Sequence, residues 1–171
     1  MPQDNVNVRG WDIMQHPIMN LLTAILSAKR PSRIKDMPAM TNTFLCRKGF
    51  SGITFFGRIY TNNQDVADSL NREYSVMKNH EMIHLRQAQN TDNNWFRYYL
   101  LYIVQWLKGI RLDRKGGRLA YYLNPFEMEA YLNENDMHYL DEADNGTCGW
   151  RKYCKMTFPD RYKLMRKSGK I

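Results

Sequence analysis

The sequence has little of the residues that would classify it at a glance. Its three cysteines, Cys46, Cys148 and Cys154, are odd in number and contain no CxxC pair. That count excludes a disulfide framework or a four-cysteine zinc site. Reduced thiols are the expectation, with a Cys148–Cys154 bridge across the short intervening loop left open. Histidine is scarce, at four residues, and the six glutamates all fall between Glu73 and Glu142. No apolar run approaches the ~20 residues needed to cross a bilayer as a helix. The first ten residues lack a basic start leading into an apolar stretch, so no secretory signal is read there and a cytoplasmic address is expected. No internal repeat or low-complexity tract is present.

What remains describes a folded chain. At 171 residues, with 13% aromatic content, one domain with a real core is expected. Its core should span about residues 40–145, followed by a basic tail over 146–171. The net charge of +8 suggests an anionic partner, but its distribution argues otherwise. Residues 1–70 carry 8 Lys/Arg against 5 Asp, and residues 71–145 carry 9 against 11 Asp/Glu. The tail carries 8 against the single Asp160. Nucleic acid is therefore not the partner expected for the central region.

Punctuation along the chain suggests the elements. Residues 18–28 read as a helix between Pro17 and Pro31, followed by a basic loop to Pro38. β-branched and aromatic residues over 53–60 predict a strand. Phe44-Leu45-Cys46 is its candidate partner across a turn at 47–52. A helical stretch follows and runs to about Gln89, and the Asn-rich segment 90–94 is a turn by composition. Residues 95–110 predict a helix buried on most sides. The alternative is an interfacial helix with a Trp/Tyr belt between Arg97 and Lys108. Asn124-Pro125 then opens a helix expected to reach about Leu140.

The chain is organised around Asn79-His-Glu-Met-Ile-His-Leu-Arg-Gln87, which contains His-Glu-x-x-His. On a helix, residues four apart share a face, so His80 and His84 can offer imidazoles to one metal ion. Glu81 adjoins the first ligand, where a carboxylate can take a proton from a metal-bound water. Two neutral nitrogens and an adjacent base suit Zn²⁺ with an open position. The plainer alternative is two histidines on an ordinary amphipathic helix. Gln87, one turn beyond His84, either touches the site or completes a hydrogen-bond network.

A catalytic zinc wants a third protein ligand, and the helix after Asn124 is its expected source. Phe126, Ala130, Asn133, Met137 and Leu140 share the probable core face. Glu127, Tyr131, Glu134 and His138 form an adjacent stripe, and Glu129 lies on the other flank with Asp136. Glu127 and Glu129 are about 200° apart, so only one can be the ligand.

This arrangement resembles the gluzincin type of zinc metallopeptidase, in which His-Glu-x-x-His is followed by a Glu on a later helix, commonly as Glu-x-x-x-Asp. Here Glu127 and the small Ala130 match, and Tyr131 replaces the Asp. The combination of Asn-His-Glu-x-Ile-His-x-x-Gln with Phe-Glu-x-Glu-Ala-Tyr-x-Asn-Glu is also similar to small proteins of gut Bacteroidetes classed as metallopeptidases on this motif. The resemblance covers about residues 50–140. It implies an α+β, mostly helical, zincin-like domain with a short sheet packed on the motif helix and a following Glu-bearing helix. It also implies His80, His84 and Glu127 as Zn²⁺ ligands and Glu81 as general base. With the usual Asp missing, Tyr131, Glu134 or a backbone carbonyl would orient a ligating histidine.

Two functions follow as expectations. The first is hydrolysis of a peptide or protein substrate, with Tyr131, His138, Tyr121 and Tyr122 as candidate oxyanion donors and the 53–60 strand as an edge for extended peptide. The second is a non-catalytic, metal-stabilised binding module whose basic C-terminal segment docks nucleic acid or an anionic membrane surface. A solvated tail that adds little to the core is the plainer reading of that segment.

Overall fold

Side-chain caps set the helix boundaries. Asn63, Ser75, Asn94, Asn124 and Thr157 each accept a hydrogen bond from a backbone amide two or three residues ahead, satisfying an amide that a helix start leaves open. The computed structural model describes residues 17–46, 52–111, 113, 117–142 and 149–171. In chain order the elements are α1 (Pro17–Leu26), a 3-10 turn (Pro31–Arg33), β1 (Ala39–Thr41), β2 (Ile53–Phe55), β3 (Arg58–Thr61), α2 (Gln64–Arg72), α3 (Val76–Gln89), α4 (Trp95–Ile110), α5 (Arg118–Tyr122), α6 (Pro125–Asn133), α7 (Tyr139–Glu142), α8 (Trp150–Cys154) and α9 (Phe158–Lys167). The fold is thus α+β and mostly helical, with one small mixed sheet.

The sheet differs from the expected single strand over 53–60. That stretch folds back on itself: β2 and β3 pair antiparallel with Phe55 opposite Arg58, across a two-residue turn at Phe56 (φ 45°) and Gly57 (φ 82°). Two positive φ values are what a tight hairpin needs. Phe56 tolerates the left-handed region because its ring packs on Tyr99 at 5.1 Å and its amide donates to the Tyr99 hydroxyl at 2.9 Å. The second partner of β3 is β1, in parallel, with Met40 opposite Tyr60, so β2 is an outer strand. Phe44-Leu45-Cys46 is a turn instead of a strand, since Asn42 Oδ1 accepts from the amides of Phe44 and Leu45 and closes an Asx turn. The hairpin turn expected at 47–52 lies almost entirely outside the described residues.

Three helical expectations also change. The motif helix is two helices, α2 and α3, separated where Glu73 is extended (φ −129°) and Ser75 caps α3. The helix from Pro125 ends at Asn133 rather than near Leu140. Asn79 Nδ2, on α3, donates to the carbonyls of Glu134 and Asp136 at 2.9 Å each, taking acceptors a continuing helix would have used. The helix over 95–110 forms with the expected bounds but is not buried on most sides: only Trp95, Tyr98 and Gly109 are buried.

One core cluster joins the sheet to α3, α4 and α6 through Ile59, Leu85, Tyr98 and Phe126. Phe126 stacks on Trp150 at 4.4 Å between centroids, which ties α8 to the same core. A second cluster holds Leu123, Met128, Tyr153 and Met165. From Gly149 onward the chain is therefore packed helix, not a solvated tail. Burial of one such large apolar side chain contributes ~1.5–3 kcal/mol. Gly109 lets α4 meet α5 nearly backbone to backbone, since a Cβ there would lie 3.0 Å from Ala120 Cα. No helix among the described residues is long and apolar enough to cross a membrane. The Cys148–Cys154 pairing lies outside the described residues, because Cys148 does.

Candidate metal centre

α3 is unusual in burying polar groups: Lys78, Asn79, His80, Glu81, His84 and Gln87 are all buried. Such burial is costly unless each group is paired. Here each one has a partner. Lys78 Nζ, for example, donates to the Met37 carbonyl and to Asp36, both at 2.7 Å, and Asn79 holds the turn after α6.

His80 and His84 lie one helical turn apart, and α6 delivers Glu127 against both. Glu127 Oε2 is 3.5 Å from His80 Nε2, and Glu127 Oε1 is 3.5 Å from His84 Nε2. Ligand atoms of the three residues all lie within 4.8 Å of one another and could hold a metal ion. Atoms bound tetrahedrally to Zn²⁺ at ~2.0–2.1 Å sit about 3.4 Å apart, close to the two observed separations. Glu127 Oε2 is buried and has no hydrogen-bond partner, which is costly without a cation to face it. The residues present therefore fit a metal, with the ion's identity left to its chemistry.

Both imidazoles are held from behind. His80 Nδ1 lies 2.8 Å from Glu134 Oε2. A carboxylate only accepts, so Nδ1 carries a proton and Nε2 is the nitrogen turned toward Glu127, where it can meet a proton or a metal ion. For His84 the argument runs through Gln87. Gln87 Nε2 donates to the Phe126 carbonyl and to Glu129 Oε2, both at 2.9 Å. This orients Oε1 toward His84 Nδ1, also at 2.9 Å, and the same tautomer follows. Partners of this kind fix ring orientation in metal sites. Tyr102 supports the third member, donating to Glu127 Oε1 at 2.7 Å.

The charges are arranged accordingly. Burial disfavours a charged His80, but the Glu127 and Glu134 carboxylates beside it, with the Glu81 charge, outweigh burial and push its pKa up to about 10. Burial likewise works to raise Glu127, yet the His84 imidazole, followed by His80 and Tyr102, brings it down to about 2. Without a metal, a proton occupies the place a cation would take. Glu81 sits beside this cluster, and Thr54 donates to its Oε2 at 2.5 Å.

The triad and Glu81 form the floor of a cleft of about 260 Å³. Its walls are largely aromatic, with Phe55, Tyr98, Tyr99 and Tyr121 among them. Burial, and then the Glu127 charge, raise the Tyr121 pKa, so its hydroxyl stays protonated. Tyr131 packs edge-on against His80 at 4.6 Å between centroids, and its hydroxyl is 3.5 Å from that of Tyr121.

The structure brings together His80, Glu81, His84, Glu127 and Tyr131, with Tyr122 behind Tyr131 at 5.3 Å between rings. It does not bring His138 there. Because α6 ends early, His138 leaves the Glu127 stripe; its side chain is 81% exposed and paired with Asp141. Glu129 stays off the triad and faces α8, where it accepts from the amides of Gly149 and Trp150. Sequence reasoning missed Tyr102 and Thr54. No local pattern marks them, since each reaches the site from an element whose packing had to be known. No family model matches the chain, and no curated protein or solved structure matches it significantly.

Proposed function

We propose that the triad binds one Zn²⁺ and that the protein is a zinc-dependent hydrolase of peptide bonds, of the gluzincin type the sequence resembles. The observation that carries this reading is the buried Glu127 carboxylate set 3.5 Å from both His80 Nε2 and His84 Nε2, with a second carboxylate, Glu81, alongside. When bound, the ion would supply Lewis acidity and an acidified water. His80, His84 and Glu127 would hold it, with the Glu134 and Gln87 hydrogen bonds keeping both Nε2 atoms directed inward.

Glu81 acts as general base. Its Oε2 is taken by Thr54, so Oε1 accepts the proton of the attacking water and returns it to the departing amine. Tyr121, a protonated hydroxyl on the cleft wall, donates to the oxyanion. Extended polypeptide reaches the cleft along β2, the outer strand, by adding to the sheet edge. The competing binding-module reading draws less support. Arg161 donates to the carbonyls of Leu123 and Cys154, Arg151 to that of Asn90, and Lys170 to Glu134, which engages three of that segment's eight cations within the fold or against it.

Glu81→Gln tests the proposal. It keeps the shape of the side chain and removes the base, so zinc content should persist while peptide hydrolysis falls by at least ~10². Full turnover in the variant, or a zinc-loaded wild type inert on mixed peptide libraries, overturns it.

A further inference from the structure

On α4, Phe96, Leu100, Ile103, Val104 and Leu107 recur at steps of four, three, one and three residues, which places them on one stripe of the helix. All five are exposed, Phe96 and Leu100 at 67% and 62%, while the opposite face carries the buried Trp95 and Tyr98 into the core. α4 contains no acidic residue. At 100° per residue, Arg97 and Lys108 fall along one border of the stripe, and Arg111 at its end; all three are exposed. Arg97 also pairs with the exposed Asp92.

We propose that this face of α4 is a docking surface for an anionic lipid bilayer. An apolar stripe bordered by cations matches the two layers such a surface offers, acyl carbon below and negative headgroups above. Sixteen residues make a helix about 24 Å long, and with its other face committed to the core α4 lies along the membrane instead of crossing it. A second copy of the chain fits worse, since α4 offers no acid to meet the cations that border the partner's stripe. The stripe also runs to the mouth of the cleft: Ile103 lines both, and the exposed Ile53 of β2 stands on the same rim. Docking therefore turns the cleft toward the headgroup layer. Combined with the hydrolase reading, on which this clause alone rests, that orientation favours polypeptide lying at the membrane surface as substrate.

Sedimentation of the full chain with phosphatidylcholine vesicles, with and without added phosphatidylglycerol, tests the docking without any measurement of hydrolysis. The wild type should co-sediment with the anionic vesicles and release in high salt. A Leu100→Glu/Leu107→Glu variant should bind at least ~10-fold more weakly, and Lys108→Gln/Arg111→Gln several-fold more weakly. Unchanged metal content and thermal melts would show that these variants are folded. Should the double Glu variant fail to fold, Leu100→Ser serves the same comparison. No binding by the wild type, or equal binding by wild type and variants, overturns the proposal. A wild-type dimer that the Leu variants convert to monomer, with no vesicle binding by either, also overturns it and assigns the stripe to a second copy.

Discussion

Lys170 Nζ donates to Glu134 Oε1 at 2.6 Å, and the other oxygen of that carboxylate faces His80 Nδ1 at 2.8 Å. The segment after α9 thus reaches the outer shell of the candidate metal centre. Both partners are shielded, at 21% and 15% side-chain exposure, so the pair is held more firmly than a surface ion pair.

Glu134→Ala should weaken zinc affinity ~10–100-fold, the usual effect of removing a ligand's hydrogen-bond partner. Lys170→Met should weaken it less, by under ~10-fold, because it only frees the carboxylate that does the orienting. Competition titrations with a zinc indicator would measure both. Equal affinities for wild type and Glu134→Ala would show that His80 needs no support from this side.

Gln87 and Glu129 separate a ligand from its scaffold. Glu127→Ala should abolish tight zinc binding, since it removes one of three ligands. Glu129→Ala should instead cost ~2–4 kcal/mol of stability by stranding the amides of the half-buried Gly149 and the buried Trp150. It should lower zinc affinity only through the loosened Gln87, and Gln87→Leu should lower it ~10–100-fold. Thermal melts alongside zinc titration distinguish the two carboxylates. Loss of metal in Glu129→Ala with retention in Glu127→Ala would invert the assignment.

The pKa shifts set a pH window for the metal-free protein. His80 is raised from 6.5 to about 10, so its contribution to stability is fully present below pH 6.5 and is lost as pH rises through about 10. Glu127 is lowered from 4.5 to about 2, so its contribution is present above pH 4.5 and lost as pH falls through about 2. The two overlap fully between pH 4.5 and 6.5, where the site contributes most to the chelator-treated protein. Zinc must displace the His80 proton, so its affinity should climb up to ~10-fold per pH unit from 6 to 8. Melts with and without chelator across that range would show a widening gap as pH rises. A gap that stays constant would mean that binding releases no proton.

Much of this was legible in the chain because it rests on local chemistry. His80, Glu81 and His84 declare their geometry by spacing, and Asn124 marks its helix start by capping. Glu127 and Glu134 could be placed on one stripe before any packing was known. The departures came from tertiary partners. An aromatic at a left-handed turn, Phe56, is readable only once Tyr99 is seen beneath it. The end of α6 depends on Asn79, more than fifty residues away, and that early end removes His138 from the site. The basic composition after residue 146 concealed Met165, Leu164 and Ile171, whose apolar side chains pack with the second cluster.

The surroundings of Glu129 bear on the order in which the molecule assembles. Its carboxylate takes hydrogen bonds from Gln87, Tyr139, Gly149 and Trp150, all uncharged and drawn from three separate parts of the chain. Gly149 comes so close that an added Cβ would lie 3.1 Å from Glu129 Oε1. An ionised group cannot leave water before replacement donors are in place. During synthesis, the amides of Gly149 and Trp150 emerge 20 and 21 residues after Glu129 itself. α6 must therefore wait in solvent, and Glu127, two residues upstream, waits with it. The histidines of α3 can be in position early, but on the zinc reading the third ligand would reach them only when the chain beyond residue 149 has arrived, which would place metal capture late in the maturation of the protein.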